Sequence, residues 1–119
     1  MSAAHHPIEN HGVVGDMRTV ALVATDGTVD YLCWPRFDSP TVFAGLLDEH
    51  KGGSFRIEPT LPDARHRQLY LPDTNILLTR FLSRQGVAEI SDFMAVAEDD
   101  SMPQALVRRV QCVRGCVSF

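Results

Sequence analysis

Short β-branched and aromatic runs, broken every few residues by Gly, Pro, Asp or Asn, constrain this chain more than any other feature. The clearest pair is residues 19–24 (TVALVA) and 29–34 (VDYLCW), joined by Thr25-Asp26-Gly27-Thr28. Asp-Gly between two such runs is a strong hairpin signal, because it tolerates the positive φ that a tight turn requires. Further runs follow at 54–58 (SFRIE), 65–71 (RHRQLYL), 75–83 (NILLTRFLS), 87–94 (VAEISDFM) and 104–113 (QALVRRVQCV). Arg114-Gly115 then turns the chain into a last run at 116–119. This spacing predicts about seven or eight strands in an antiparallel β-sandwich, not a parallel sheet with crossover helices. One short helix is expected beside them. Ser39 can cap it, Pro40 fits its first position, and residues 41–47 carry apolar side chains on more than one face.

A chain of 119 residues holds a single domain. With 45% hydrophobic and 22% charged residues it can fill a core and solvate a surface. A net charge of −4 lacks the basic field that general nucleic-acid binding requires. No apolar stretch approaches the ~20 residues of a membrane-spanning helix. Residues 1–10 show neither the basic region nor the apolar run of a secretory leader, so a cytoplasmic location is expected. Three cysteines, Cys33, Cys112 and Cys116, are an odd number and read as reduced thiols. Cys112 and Cys116 flank a turn with no histidine near them, so neither metal nor cofactor is expected. Residues 1–7 read as a flexible terminus and 8–119 as the folded domain. The hairpin opened at Cys116 breaks off at Phe119, which predicts the front portion of a longer protein. Its exposed sheet edges would favour self-association.

Chemistry is sparse. Gly12-Val13-Val14-Gly15 lacks the strand–loop–helix setting of a phosphate loop, and neither G-x-S-x-G nor H-E-x-x-H occurs. His5, His6 and His11 read as residues of the flexible terminus, and His50 and His66 as loop or strand-edge residues. Asp16, Asp26, Asp30, Asp38 and Asp92 read as turn formers that accept backbone N–H groups. The densest segment is Trp34-Pro35-Arg36-Phe37-Asp38-Ser39-Pro40. Its two prolines fix φ and withhold donors, and the residues before them are pushed to extended conformations. A stiff loop displaying Arg, Phe and Asp suits docking. The plainer reading makes Trp34 and Phe37 core plugs and Arg36–Asp38 a local ion pair.

Residues 8–23 (IENHGVVGDMRTVALV) and 26–40 (DGTVDYLCWPRFDSP) together resemble the start of bacterial family 15 glycoside hydrolases, the glucoamylase-like and trehalase-like enzymes. Residues 70–77 (YLPDTNIL), 91–94 (SDFM), 106–110 (LVRRV) and 113–115 (VRG) follow in the family's order. The likeness spans nearly all of 8–119. Tyr31 stands where the family usually has Trp, and Ala95 where Pro is common. The resemblance implies an N-terminal β-sandwich, part of a supersandwich, followed in the parent enzyme by an (α/α)6 barrel with two catalytic glutamates of an inverting hydrolase. Inversion takes two carboxyl groups roughly 6.5–9.5 Å apart, and no such pair stands out here. The resemblance thus carries no catalytic residue onto this chain, which alone is expected to be inactive. It makes the barrel the partner and an α-glucoside a candidate ligand, and it makes Trp34, Arg36, Phe37 and Asp38 the candidates for a domain interface or substrate entrance. Two alternatives stand beside it. One is an independent carbohydrate-binding module that stacks sugar on Tyr31, Trp34 or Tyr70, and the other a non-enzymatic interaction domain.

Overall fold

The computed structural model describes residues 6–99 and 101–119. Among them lie one 3-10 turn (Ile8–Asn10) and eight strands: β1 (His11–Gly15), β2 (Val20–Ala24), β3 (Val29–Cys33), β4 (Thr41–Phe43), β5 (Arg65–Tyr70), β6 (Leu77–Leu82), β7 (Gly86–Met94) and β8 (Leu106–Gly115). They form two four-stranded antiparallel sheets, β1-β2-β3-β4 and β5-β6-β7-β8, each in simple sequential order. The expected β-sandwich is what the chain adopts.

Alternation explains the layering. Ala21, Val23, Val14, Val29 and Leu32 of the first sheet meet Leu77 and Met94 of the second, with Trp34, Phe43 and Leu106 packed at the margin. A second cluster, Phe81, Ala88 and Ile90, is covered by Ile57, Leu61 and Val117 rather than by a strand. Gly12 lets the sheets come close together, since an added Cβ there would lie 2.6 Å from Leu77 Cδ2.

Polar rivets join the layers. Asp92 (β7) and Arg108 (β8) are register partners, and Arg108 Nε donates to Asp92 Oδ1 at 2.7 Å with both side chains almost fully buried. Arg108 also donates to Gly27 O in the β2–β3 turn and to Phe55 O, and its guanidinium lies 4.9 Å from the Phe55 ring centre. Burial pushes the Asp92 carboxyl up, against the pull of Arg108. Gln68 of β5 donates to Ala24 O at 2.9 Å, and the Tyr70 hydroxyl accepts from Val13 N–H and donates to Val13 O.

Three expectations need correction. Residues 41–47 are not a helix. Thr41–Phe43 is strand β4, because β-branched and aromatic residues suit a pleated ladder: Thr41 and Phe43 pair with Cys33 and Leu32 of β3 across a register shift, and Pro40 serves an edge strand as well as a first helical turn. The chain then folds over Asp30, whose carbonyl accepts Leu46 N–H. Residues 54–58 make a single bridge, Val29↔Phe55, before Pro59. Residues 116–119 make no strand: Gly115 turns at φ 78, and Ser118 O accepts the Thr60 N–H and hydroxyl. Gly12-Val13-Val14-Gly15, which lacks the setting of a phosphate loop, lies in β1, a strand the residue pattern does not signal.

The histidine and aspartate readings shift with them. His5 lies outside the described residues. His11 is no terminal straggler. Its ring is buried, with Nε2 2.8 Å and 2.9 Å from the two Asp30 oxygens and Nδ1 2.9 Å from Pro7 O. Asp30 and Asp92 are therefore partners of buried cationic or donor side chains, not turn formers. Asp16 and Asp26 do accept turn N–H groups, from Arg18 and Thr19 and from Thr28.

A braced corner as candidate functional site

The segment after β3 makes a tight corner. Its Trp34–Pro35 peptide bond is cis. Ser39 N–H donates to Arg36 O at 3.1 Å, Arg36 N–H donates back to Ser39 Oγ at 3.1 Å, and Trp34 N–H reaches Pro40 O at 3.4 Å. The loop thus satisfies much of its own backbone.

A second motif holds it from outside. Asp16 Oδ1 accepts the N–H groups of Arg18 and Thr19, at 2.9 Å and 3.0 Å, and closes the turn between β1 and β2. That turn aims Thr19 Oγ1 at Cys33 O, 2.6 Å away, and Arg18 O at the Phe37 N–H, 3.0 Å away. From just before β8, Gln104 Nε2 donates to Pro35 O at 2.8 Å while its side chain also bonds Asp16. Burial pushes the Asp16 carboxyl up. The N–H groups of Thr19 and Arg18, the Gln104 amide and the Arg18 charge outweigh it and leave the group below its ordinary value. The sequence marks Asp16 as a turn former, but it does not show that this turn and Gln104 support the corner. The carboxylate–x–Arg–Thr spelling of a side-chain-closed turn was the available signal.

The corner divides the four candidates. Trp34 is half-buried and packs against the core, as a plug would. Phe37 is 58% exposed and is not a plug. Arg36 and Asp38 project into solvent with Arg36 Nε 3.7 Å from Asp38 Oδ1, an exposed pair that adds little stability. Met17, 85% exposed at φ 75, stands beside the Arg18–Phe37 link. The corner therefore offers two apolar side chains, a guanidinium and a carboxylate on a rigid base. Of the aromatic residues weighed for sugar stacking, Tyr31 is half-buried under a Cys33 thiol contact, whereas Tyr70 is 47% exposed.

The buried carboxylates of Asp16, Asp30 and Asp92 are each engaged by internal donors, and among the described residues no three His, Cys, Asp or Glu side chains converge as metal ligands would. A family profile described as trehalase-like, N-terminal, matches residues 1–118. The chain belongs to that family. Relatives agree with it. The chain is similar to a trehalase of Thermoplasma volcanium, 40% identical over 76% of this chain and 15% of the relative. It is also similar to trehalase 1 of Sulfolobus acidocaldarius, 41% identical over 84% of this chain and 16% of the relative. A trehalase of Mycolicibacterium smegmatis is 32% identical over 95% of this chain and 19% of its own length. The chain thus spans less than a fifth of each of these relatives, in which most of the polypeptide lies outside the matched domain. No solved structure matches.

Proposed function

We propose that this trehalase-like N-terminal domain is the non-catalytic part of an α-glucoside hydrolase, of the inverting family 15 type, that acts on trehalose. The observation that carries this reading is the match to residues 1–118 together with relatives named trehalases, of which the domain is only 15–19%. The engagement of the buried carboxylates by His11, Arg108 and the Asp16 turn supports it, because a general acid or base has to face substrate. In the parent enzyme the domain packs on the catalytic barrel through Arg36, Phe37 and Asp38, with Trp34 anchoring that loop to the core. Exposed rings and guanidinium groups on a rigid base suit such an interface, since little ordering entropy opposes docking.

Replacing both Arg36 and Phe37 by Ala in the full-length hydrolase tests this role. Trehalose hydrolysis is expected to fall at least tenfold, or the melting temperature of the barrel to drop, while the isolated domain melts unchanged. Unaltered activity and melting would remove the corner from the interface.

A further inference from the structure

We propose that the β5–β6 turn, which shares no residue with the braced corner, is a weak binding site for a neutral pyranoside. Tyr70 ends β5 opposite Leu77, and its hydroxyl is held by both the N–H and the carbonyl of Val13, at 2.8 Å and 2.9 Å. The ring is therefore fixed at its Cα by one sheet and at its oxygen by the other, yet the residue stays 47% exposed. Its hydroxyl proton is committed to the protein, so what it offers a ligand is chiefly its ring. A ring that cannot swing binds with little entropy to lose.

The turn beside it is equally fixed. Leu71 N–H donates to Ile76 O at 3.0 Å, Thr74 N–H and Oγ1 both donate to Leu71 O, and Ile76 N–H donates to Thr74 Oγ1. Thr74 is thus used up. Asp73 and Asn75 are not: both are exposed, and neither side chain bonds any described residue. Tyr70, Leu71, Pro72, Asp73, Thr74 and Asn75 line one broad, open depression of about 580 Å³.

The chemistry selects the ligand. No Lys, Arg or His lines the depression, so nothing there balances a phosphate or carboxylate. A carboxylate accepts hydroxyl protons, and an amide both donates and accepts, which suits vicinal hydroxyls. An aromatic face takes the C–H face of a pyranose ring by apolar contact. One carboxylate alone is a poor cation site, since hard cations gather six or more oxygens. The site stands on its own geometry and does not depend on the role of the corner.

Titrating the ¹⁵N-labelled 119-residue chain with trehalose, and separately with methyl α-glucoside, tests it. Saturable shifts are expected at the amides of residues 69–71 and 73–76, with a Kd on the order of 1–10 mM, the weak end that an open site implies. Asp73→Asn and Asn75→Ala, both at exposed turn positions, should each weaken binding at least threefold with the remaining spectrum unchanged. Absence of shifts at ~100 mM sugar, about ten times the weakest Kd expected, overturns the proposal. Shifts that ignore both substitutions, or that centre on residues 34–38, overturn it too. None of these results bears on whether the parent protein hydrolyses trehalose.

Discussion

Asp16 shows how one side chain can organise a corner. Its carboxylate closes the 16–19 turn, and through Thr19, Arg18 and Gln104 that turn fixes Cys33, Phe37 and Pro35. Its folded-state carboxyl lies below the ordinary value because these donors outweigh burial. A depressed carboxyl contributes stability that is fully present above its unfolded value and is lost as pH falls through the folded one. Asp16→Asn keeps an acceptor but removes the charge, so we expect a loss of about 1 kcal/mol at neutral pH. In urea melts taken from neutral pH down through the carboxylate range, the variant's stability should fall less steeply than the parent's. Parallel curves would show that the charge is idle. Residue types alone revealed Asp16 and Asp26 as turn formers, because their partners lie within three positions. They did not reveal Asp30 or Asp92, whose partners His11 and Arg108 arrive from 19 and 16 positions away.

At the scale of elements, local signals carried as far as local bonds do. The Asp26-Gly27 hairpin, β5, β6, β7 and β8 follow from alternation and turn chemistry, which are properties of neighbouring residues. The segment 41–47 misleads because Ser-Pro before apolar residues opens a helix and an edge strand equally well, and only the unpaired side of β3 decides between them. Gly12-Val13-Val14-Gly15 gives no strand signal strong enough to stand without β2 beside it. Arg108 belongs to the same class of hidden features. It sits on β8, pairs with β7 and donates to Gly27 in the turn that joins β2 and β3 of the other sheet, so it ties the two sheets together. Truncating it leaves Asp92, fully buried, without its cation. Arg108→Ala should cost about 3–5 kcal/mol in urea unfolding, and joint replacement of Asp92 and Arg108 by Leu and Met should recover most of that loss. A single variant within 1 kcal/mol of the parent would mean that water or a shifted loop takes over, and that the rivet is not structural.

Across the whole molecule, the two sheets are not equally finished. The first is closed at β1 by the Tyr70 hydroxyl, and its outer face carries the loop of residues 44–53 over the His11–Asp30 pair. The second ends in β8, a ten-residue edge strand along which Val107, Val110 and Val113 are exposed. A long apolar edge with unpaired backbone groups is a template for another strand. Arg109 and Arg114 provide the charge that natural edges use as protection, but Val110 and Cys112 lie between them without any. The isolated chain should therefore self-associate through β8. Sedimentation velocity should show a concentration-dependent shift from monomer to larger species, and Val110→Lys, which plants a charge midway along the edge, should hold the chain monomeric without lowering its melting temperature. If the parent chain stays monomeric at millimolar concentration, β8 is protected by its own arginines. If Val110→Lys leaves the association unchanged, the contact lies elsewhere, with the exposed Met17 and Phe37 of the braced corner the next surface to charge.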